Sequence, residues 1–317
     1  MSIIAVATDF SPQAEVAFAR ALALAAARGA ELLVISADTT VDLVPTTPEP
    51  EVAVPTWNQL RTDVETEEKR LLDELLRRAA AAGVASRAVR AIGDPAELTV
   101  KAAREHGAEL IVVGSHGRTG IRRFLLGSIA ERIVEHASSS VLVARGDGSA
   151  PFAKVLVATD FGPQSAPALA QAQALAPGAQ VILVNAWHYP AGAWSLAALG
   201  ERTHASEALE AALTEPPRAR GLALVAEEAA AGRTVEFVQR QGQPAEVVTD
   251  LATAEHADLV ALGTHGRHGV RRILLGSVAN AIVRHAPCSV LVVRDTAAPA
   301  AVPAPEAPPS PDGPVTA

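Results

Sequence analysis

The chain has 317 residues, 49% hydrophobic and 20% charged, so it is long enough for two ordinary domains and apolar enough to bury a core in each. A net charge of -8 and an aromatic content of 3% argue against nucleic acid as a partner, since a phosphate-tracking surface needs a basic face and single-strand binders need stacking platforms. The one cysteine, Cys288, permits no internal disulfide, the start MSIIAVATDF lacks a basic leader, and no apolar stretch is long enough for a membrane span; a cytoplasmic protein without a membrane partner is expected.

The first aliphatic run, 3–8, has the unbroken hydrophobicity of a buried parallel strand. Ser11 then offers a cap, and Pro12 a first helical position, to an alanine-rich helix reaching Arg28. A second strand, 32–36, follows Gly29, and after a proline-bearing loop the charged segment 57–82 has the pattern of an amphipathic helix. A third strand at 87–91 leads into GDPAEL, where Asp94 can cap, Pro95 open a helix and Glu97 complete a capping box. That helix runs to His106, ELIVVG is a fourth strand and SSVLVAR a fifth. Strand and helix alternate throughout, which calls for an α/β, Rossmann-like, doubly wound domain: a five-stranded, mostly parallel sheet with helices on both faces.

The chain then repeats itself. KVLVATDFGPQ, 154–164, matches 2–13, and 263–294 is identical to 114–145 at 21 of 32 positions. Two homologous domains, 1–146 and 153–296, are expected around a short linker, 147–152, with a Pro/Ala-rich tail, 297–317, too poor in large apolar residues to order itself. In the second half Gly162 and Pro163 take the places of Ser11 and Pro12 as the expected helix start. Gln243 replaces Asp94 as a weaker cap, and Pro216 with Pro217 is expected to break the helix equivalent to 57–82. An insertion, WHYPAGAWSLAALG, brings Trp187, Tyr189 and Trp194 together as a packing cluster or a partner or lid surface.

Each fourth strand ends in the same spacing. Gly114-x2-Gly117-x9-Gly127-Ser128 and Gly263-x2-Gly266-x9-Gly276-Ser277 both run into a helix start. Glycine allows positive φ and close backbone approach, and a helix N-terminus turns free N–H groups and the positive end of its dipole toward an anion. Ser128 and Ser277 can cap and donate, and Arg118, Arg122 and Arg123, with Arg267, Arg271 and Arg272, bring positive charge. The same loop also fits a tight structural corner that was merely duplicated. Asp9 and Asp160 stand at the ends of the two first strands, in ATDF both times, either to accept hydrogen bonds from ribose hydroxyls or to begin the next turn.

On these residues the chain resembles a tandem universal stress protein over 2–146 and 153–295, with the G-x2-G-x9-G-[S/T] signature of that family's ATP-binding branch complete in both halves. The resemblance implies ATP as ligand, with Mg²⁺ held through its phosphates rather than by a protein cage, and a regulatory role in stress response. It implies ribose contacts at Asp9 and Asp160 beside Ala7, Thr8, Ala158 and Thr159, and an adenine site at Ala37 and Ala186. Phosphates would lie on Gly114, Gly117, Arg118, Gly127, Ser128 and Ile129, and on Gly263, Gly266, Arg267, Gly276, Ser277 and Val278. It further implies pairing of the fifth strands, in a homodimer or within the chain as a pseudo-dimer.

A Rossmann dinucleotide site would need G-x-G-x-x-G after the first strand, where ATDFSPQ stands, and a P-loop would need GxxxxGK[ST], which is missing. The histidines show no HxxxH spacing; His106, His136, His256 and His285 fall near helix ends, where a dipolar role fits better than metal ligation. No catalytic residue stands out. A slow ATP hydrolase and a scaffold with vestigial pockets remain the alternatives to a nucleotide-binding regulator.

Overall fold

The computed structural model describes residues 2–38, 50–117, 126–190, 204–264 and 275–294. The first half contributes β1 (Ile3–Thr8), α1 (Pro12–Arg28), β2 (Glu31–Asp38), α2 (Pro50–Ala81), β3 (Ser86–Ile92), α3 (Pro95–Glu105), β4 (Leu110–Gly114), α4 (Ser128–His136) and β5 (Ser140–Ala144). The second contributes β6 (Lys154–Ala158), α5 (Ser165–Leu175), β7 (Gln180–Trp187), α6 (His204–Ala230), β8 (Val235–Gln241), α7 (Pro244–Ala254), β9 (Leu259–Gly263), α8 (Ser277–His285) and β10 (Ser289–Val293).

The strands form one ten-stranded sheet in the order β3-β2-β1-β4-β5-β10-β9-β6-β7-β8. Every neighbouring pair is parallel except β5 with β10, where Val141, Leu142 and Val143 run antiparallel to Val292, Leu291 and Val290. The fifth strands therefore pair within the chain, and each is flanked on both sides, so neither leaves an edge for a second copy. Alternate residues of the strands feed two continuous cores. Ile4, Val6, Val155 and Val157 pack with α1, α2 and α5 on one face, while Ala5, Leu156 and Val260 pack with α3, α4, α7 and α8 on the other. Burial on both faces is why the strands are unbroken aliphatic runs.

The cap signals of the first half form as their side chains dictate. Ser11 accepts from the Ala14 N–H at 3.2 Å, and Gly29, at φ +60°, closes α1 onto the Ala25 carbonyl. In the second half the expected start at Gly162 and Pro163 does not form. Glycine has no side-chain acceptor, and the helix begins only at Ser165, with Gln164 before it making no side-chain cap. Asp94 accepts from the Glu97 N–H at 2.9 Å, but the capping box stays half made, because the Glu97 carboxylate turns to Arg132 at 3.6 Å. Gln243 holds the same backbone conformation as Asp94 and caps nothing.

Pro216 and Pro217 do not break their helix: α6 runs through both. Two missing N–H groups leave the Ala212 and Leu213 carbonyls without their usual donors, yet Leu224 and Val225 dock the helix on the core and Gln239 Nε2 donates to the Thr214 carbonyl at 3.1 Å. Packing overrides local propensity here. α2 starts at Pro50, upstream of its expected start. Trp187 and Tyr189 pack edge to face at 5.4 Å, with the Tyr189 hydroxyl donating to Glu210 at 3.1 Å. Trp194, the proline-bearing loop at 39–49 and the tail 297–317 lie outside the described residues.

One arginine fastens the linker and two fasten the halves together. Arg20 of α1 donates to the Ala150 and Asp147 carbonyls and lies 4.0 Å over the Phe152 ring, binding the linker to the first half. Arg145 reaches the Val283 carbonyl at 2.6 Å, and Arg294 reaches the Val134 and Glu135 carbonyls at 2.7 Å. Each half thus supplies the C-terminal cap of the other half's last helix.

Candidate functional site

The C-terminal ends of β1, β2 and β4 and the first turns of α3 and α4 enclose a cavity of about 340 Å³, at the place where an open parallel sheet presents its loops. Of the residues singled out from sequence, Ala7, Thr8, Asp9, Ala37, Gly114, Gly117, Gly127, Ser128 and Ile129 line it, while Arg118 lies outside the described residues. Their counterparts Ala158, Thr159, Asp160 and Ala186 stand at the ends of β6 and β7, and Gly263, Gly276, Ser277 and Val278 at the end of β9 and the start of α8. Gly266 and Arg267 lie outside the described residues.

The turn after β1 is built around a feature the sequence did not announce. Phe10 has φ +59°, as does Phe161 in the second half, a left-handed conformation that costs a residue with a side chain about 1–3 kcal/mol. It is held from both sides. The Phe10 N–H donates to Thr8 Oγ1 at 3.0 Å and the Ser11 N–H to Asp9 Oδ1 at 3.0 Å; the Phe161 and Gly162 N–H groups repeat this with Thr159 and Asp160 at 2.9 and 2.8 Å. The recurrence of ATDF was the only signal available. Asp9 therefore does begin a turn, with one oxygen, while its other oxygen points toward the glycine loop: a Cβ added at Gly117 would sit 2.6 Å from Asp9 Oδ2.

Of the two reasons the sequence offered for the glycines, positive φ and close approach, that contact selects the second. Among the described residues Gly114, Gly117, Gly127, Gly263 and Gly276 do not have positive φ. They are needed for close approach. A Cβ at Gly114 would meet the Gln13 carbonyl oxygen at 2.8 Å, one at Gly127 the His116 Cα at 3.2 Å and one at Gly263 the Gln164 Cβ at 2.6 Å.

The start of α4 also differs from expectation. Gly127, not Ser128, is the N-cap residue, and Ser128 is the first helical residue; Gly276 and Ser277 repeat this in α8. The Gly127 N–H is spent on the Ser115 carbonyl at 2.7 Å. The N–H groups of Ser128, Ile129 and Ala130 precede the first intrahelical bond, which the Glu131 N–H makes to Gly127, and all three residues line the cavity. Three donors at the positive end of a helix face this space, which suits an anion. Ile35, Ala37, Val113 and Ile133 add apolar wall to the same cavity. Arg132 of α4 bonds Asp94 at the start of α3 at 2.6 Å, tying together the two helices that flank the cavity and holding the Asp94 carboxyl below the usual range, with the Glu97 N–H adding to the effect.

Glu68 also lines the cavity, reaching it from α2. Within a helix full of charges nothing in the sequence set it apart; only the fold brings it to the strand ends. Its Oε2 accepts from Arg90 Nε of β3 at 3.0 Å.

The second half keeps the frame and changes the lining. Gln164 Oε1 accepts from the Thr264 hydroxyl at 2.9 Å, laying its side chain over Gly263. Asn185, at the position of Ser36, donates to the Thr159 carbonyl at 2.9 Å and accepts from Gln239 at 3.2 Å. Ala281 stands where α4 has Arg132, so with Gln243 in place of Asp94 the tie between the flanking helices is lost. Among the described residues no three His, Cys, Asp or Glu side chains gather as a metal site, and no helix is long and apolar enough to cross a membrane.

Comparison with known proteins agrees with this construction. A universal stress protein of Mycobacterium tuberculosis is 32% identical over 195 residues, 60% of this chain and 63% of its own length, so the match spans less than two thirds of that relative. One of Thermus aquaticus is 34% identical over 152 residues, 45% of this chain and 99% of its own. The crystal structure of a universal stress protein from Archaeoglobus fulgidus shares the fold over 92% of this chain and 98% of its own, with a TM-score of 0.64 at 20% identity. The family model described as "Universal stress protein family" matches residues 1–145 and again 151–294, and the chain, with two such units in tandem, belongs to that family.

Proposed function

We propose that the protein is an ATP-binding regulator of the cytoplasmic stress response, built of two nucleotide-binding domains, 1–146 and 153–296, on either side of the linker 147–152, whose nucleotide state alters its shape or its partners. In the first half the triphosphate lies at the N–H groups of Ser128, Ile129 and Ala130, beside Gly114, Gly117 and Gly127, and draws Mg²⁺ through its own oxygens. Asp9 accepts from the ribose hydroxyls, and the adenine rests against Ala37 and its apolar neighbours. The corresponding residues of the second half, with Asp160, Ala186 and Ser277 at their centre, form the second site.

The observation that carries this function is the convergence, on one cavity of about 340 Å³, of three helix N–H groups without a partner among the described residues, a carboxylate and an apolar wall. Anion, polyol and ring are the three chemistries of a nucleotide, and the helix donors of α4, the carboxylate after β1 and an apolar wall that includes Ile35 and Ala37 of β2 offer a match for each. The test is mass spectrometry of small molecules released from the purified full chain, followed by calorimetric titration with ATP and Mg²⁺. Saturable binding is expected. No heat of binding at millimolar ATP would overturn the proposal, and a stoichiometry of one would confine it to a single half.

A further inference from the structure

The two halves differ at the end of the cavity that lies against β2. β4 and the start of α4 lie on one side of β1, and β2 and β3 on the other, so a ligand anchored at Ser128 that passes Asp9 ends against β2. There the first half places Ser36, Ala37 and Glu68. The Glu68 side chain is only 14% exposed, and Arg90, whose strand position pairs with Ser36, engages its Oε2. Among the described residues Oε1 of this carboxylate has no hydrogen-bond partner. An unpaired carboxylate oxygen on a cavity wall is an acceptor that a donor of the ligand can meet in place of water.

The second half has removed this group. α2 and α6 both end at a left-handed glycine, Gly83 at φ +72° and Gly232 at φ +74°, and at equal distance upstream Pro217 stands where α2 has Glu68. Gln239 takes the place of Arg90, pairing with Asn185 as Arg90 pairs with Ser36. Asn185, 5% exposed, and Gln239 satisfy one another and the Thr159 and Thr214 carbonyls. An acceptor on the wall has become a closed amide chain.

We propose that Glu68 is the specificity-determining residue of the first-half site, accepting a hydrogen bond from the 6-amino group of a bound purine, a role that rests on nucleotide occupying this cavity. Adenine presents that amino donor; hypoxanthine presents a carbonyl oxygen at the same place, which the carboxylate repels. The first half then discriminates between 6-amino and 6-oxo purines, and the second half, without the carboxylate, does not discriminate this way.

Calorimetry of the full chain with ATP, ITP and dATP tests this, on the parent and on Glu68→Gln and Glu68→Asp. The parent is expected to prefer ATP to ITP at its tighter site by at least about tenfold, the worth of one charged hydrogen bond. In Glu68→Gln the amide can turn either its oxygen to an amino group or its nitrogen to a carbonyl, so the preference collapses toward parity while nucleotide is still bound; Glu68→Asp, charged but shorter, falls between. An ATP-to-ITP ratio unchanged in Glu68→Gln overturns the role of Glu68 and leaves nucleotide binding standing. A change confined to the ATP-to-dATP ratio also overturns it, since the carboxylate would then be reading the sugar. Absence of binding of all three by the parent chain overturns nucleotide occupancy itself, and the role of Glu68 with it.

Discussion

Gly117→Ala is the smallest change that probes the glycine loop. Its backbone conformation is open to alanine, because Gly117 is not among the left-handed glycines. The added methyl carbon is not accommodated: it falls 2.6 Å from Asp9 Oδ2, well inside van der Waals contact. Asp9 is the side that must yield, and it has little freedom, since its Oδ1 is held by the Ser11 N–H at 3.0 Å and Ser11 is the buried cap of α1. The carboxylate either gives up that bond or swings from the position proposed for its ribose contact. Loss of one charged hydrogen bond to the ligand amounts to about 1.5–3 kcal/mol, a rise of about 10- to 150-fold in the Kd for ATP. Gly117 belongs to neither hydrophobic core, so the melting temperature should move little. Titration calorimetry with ATP alongside a circular-dichroism melt reads both quantities. Gly117→Val, with a larger side chain on the same line, is expected to abolish binding in the first half. A folded Gly117→Ala with the parent Kd would refute the close-approach account of this glycine, and a Gly117→Val that also bound normally would leave GSHGRTGIRRFLLGS as a structural corner and no more.

Three further outcomes follow from other parts of the fold. Arg294→Met keeps the buried stem but leaves the Val134 and Glu135 carbonyls without their donor, so the chain should lose about 2–4 kcal/mol and melt several degrees lower; an unchanged melt would mean that water replaces the guanidinium. Gln243→Asp places a capping carboxylate on a backbone already set as at Asp94, and should stabilise the chain by about 1 kcal/mol in urea unfolding, a gain whose absence would show that this helix start needs no cap. Burial pushes the Cys288 thiol up to about 12, so the folded chain keeps a proton that the unfolded chain releases near about 8.5. That contribution is complete below the unfolded value and is lost as pH rises toward the folded one. Iodoacetamide at pH 8 should label Cys288 only after unfolding, and prompt labelling of the native chain would contradict the burial.

What the sequence by itself determined is what neighbouring residues impose on one another. Duplication, the alternation of strand and helix, the cap at Ser11, the missing cap at Gln243 and the placing of the G-x2-G-x9-G loop at a strand end all follow from side chains acting within a turn or two of their own position. A local rule misled where distant packing opposed it, since the prolines of α6 sit in a helix that its apolar face holds to the sheet, and of the two reasons for the loop glycines only close approach, to Asp9, Gln13 and Gln164, is used. The two signatures are alike, but the lining that separates the halves comes from other elements. Glu68 and Gln239 arrive from a helix and a strand far along the chain, and no spacing within the motif encodes them. Pairing of the fifth strands was implied by the family resemblance, but only the tertiary structure decided that β5 joins β10 within the chain and set Arg145 and Arg294 across that seam, because those hydrogen bonds connect residues that the chain itself holds far apart and only a completed sheet brings within reach.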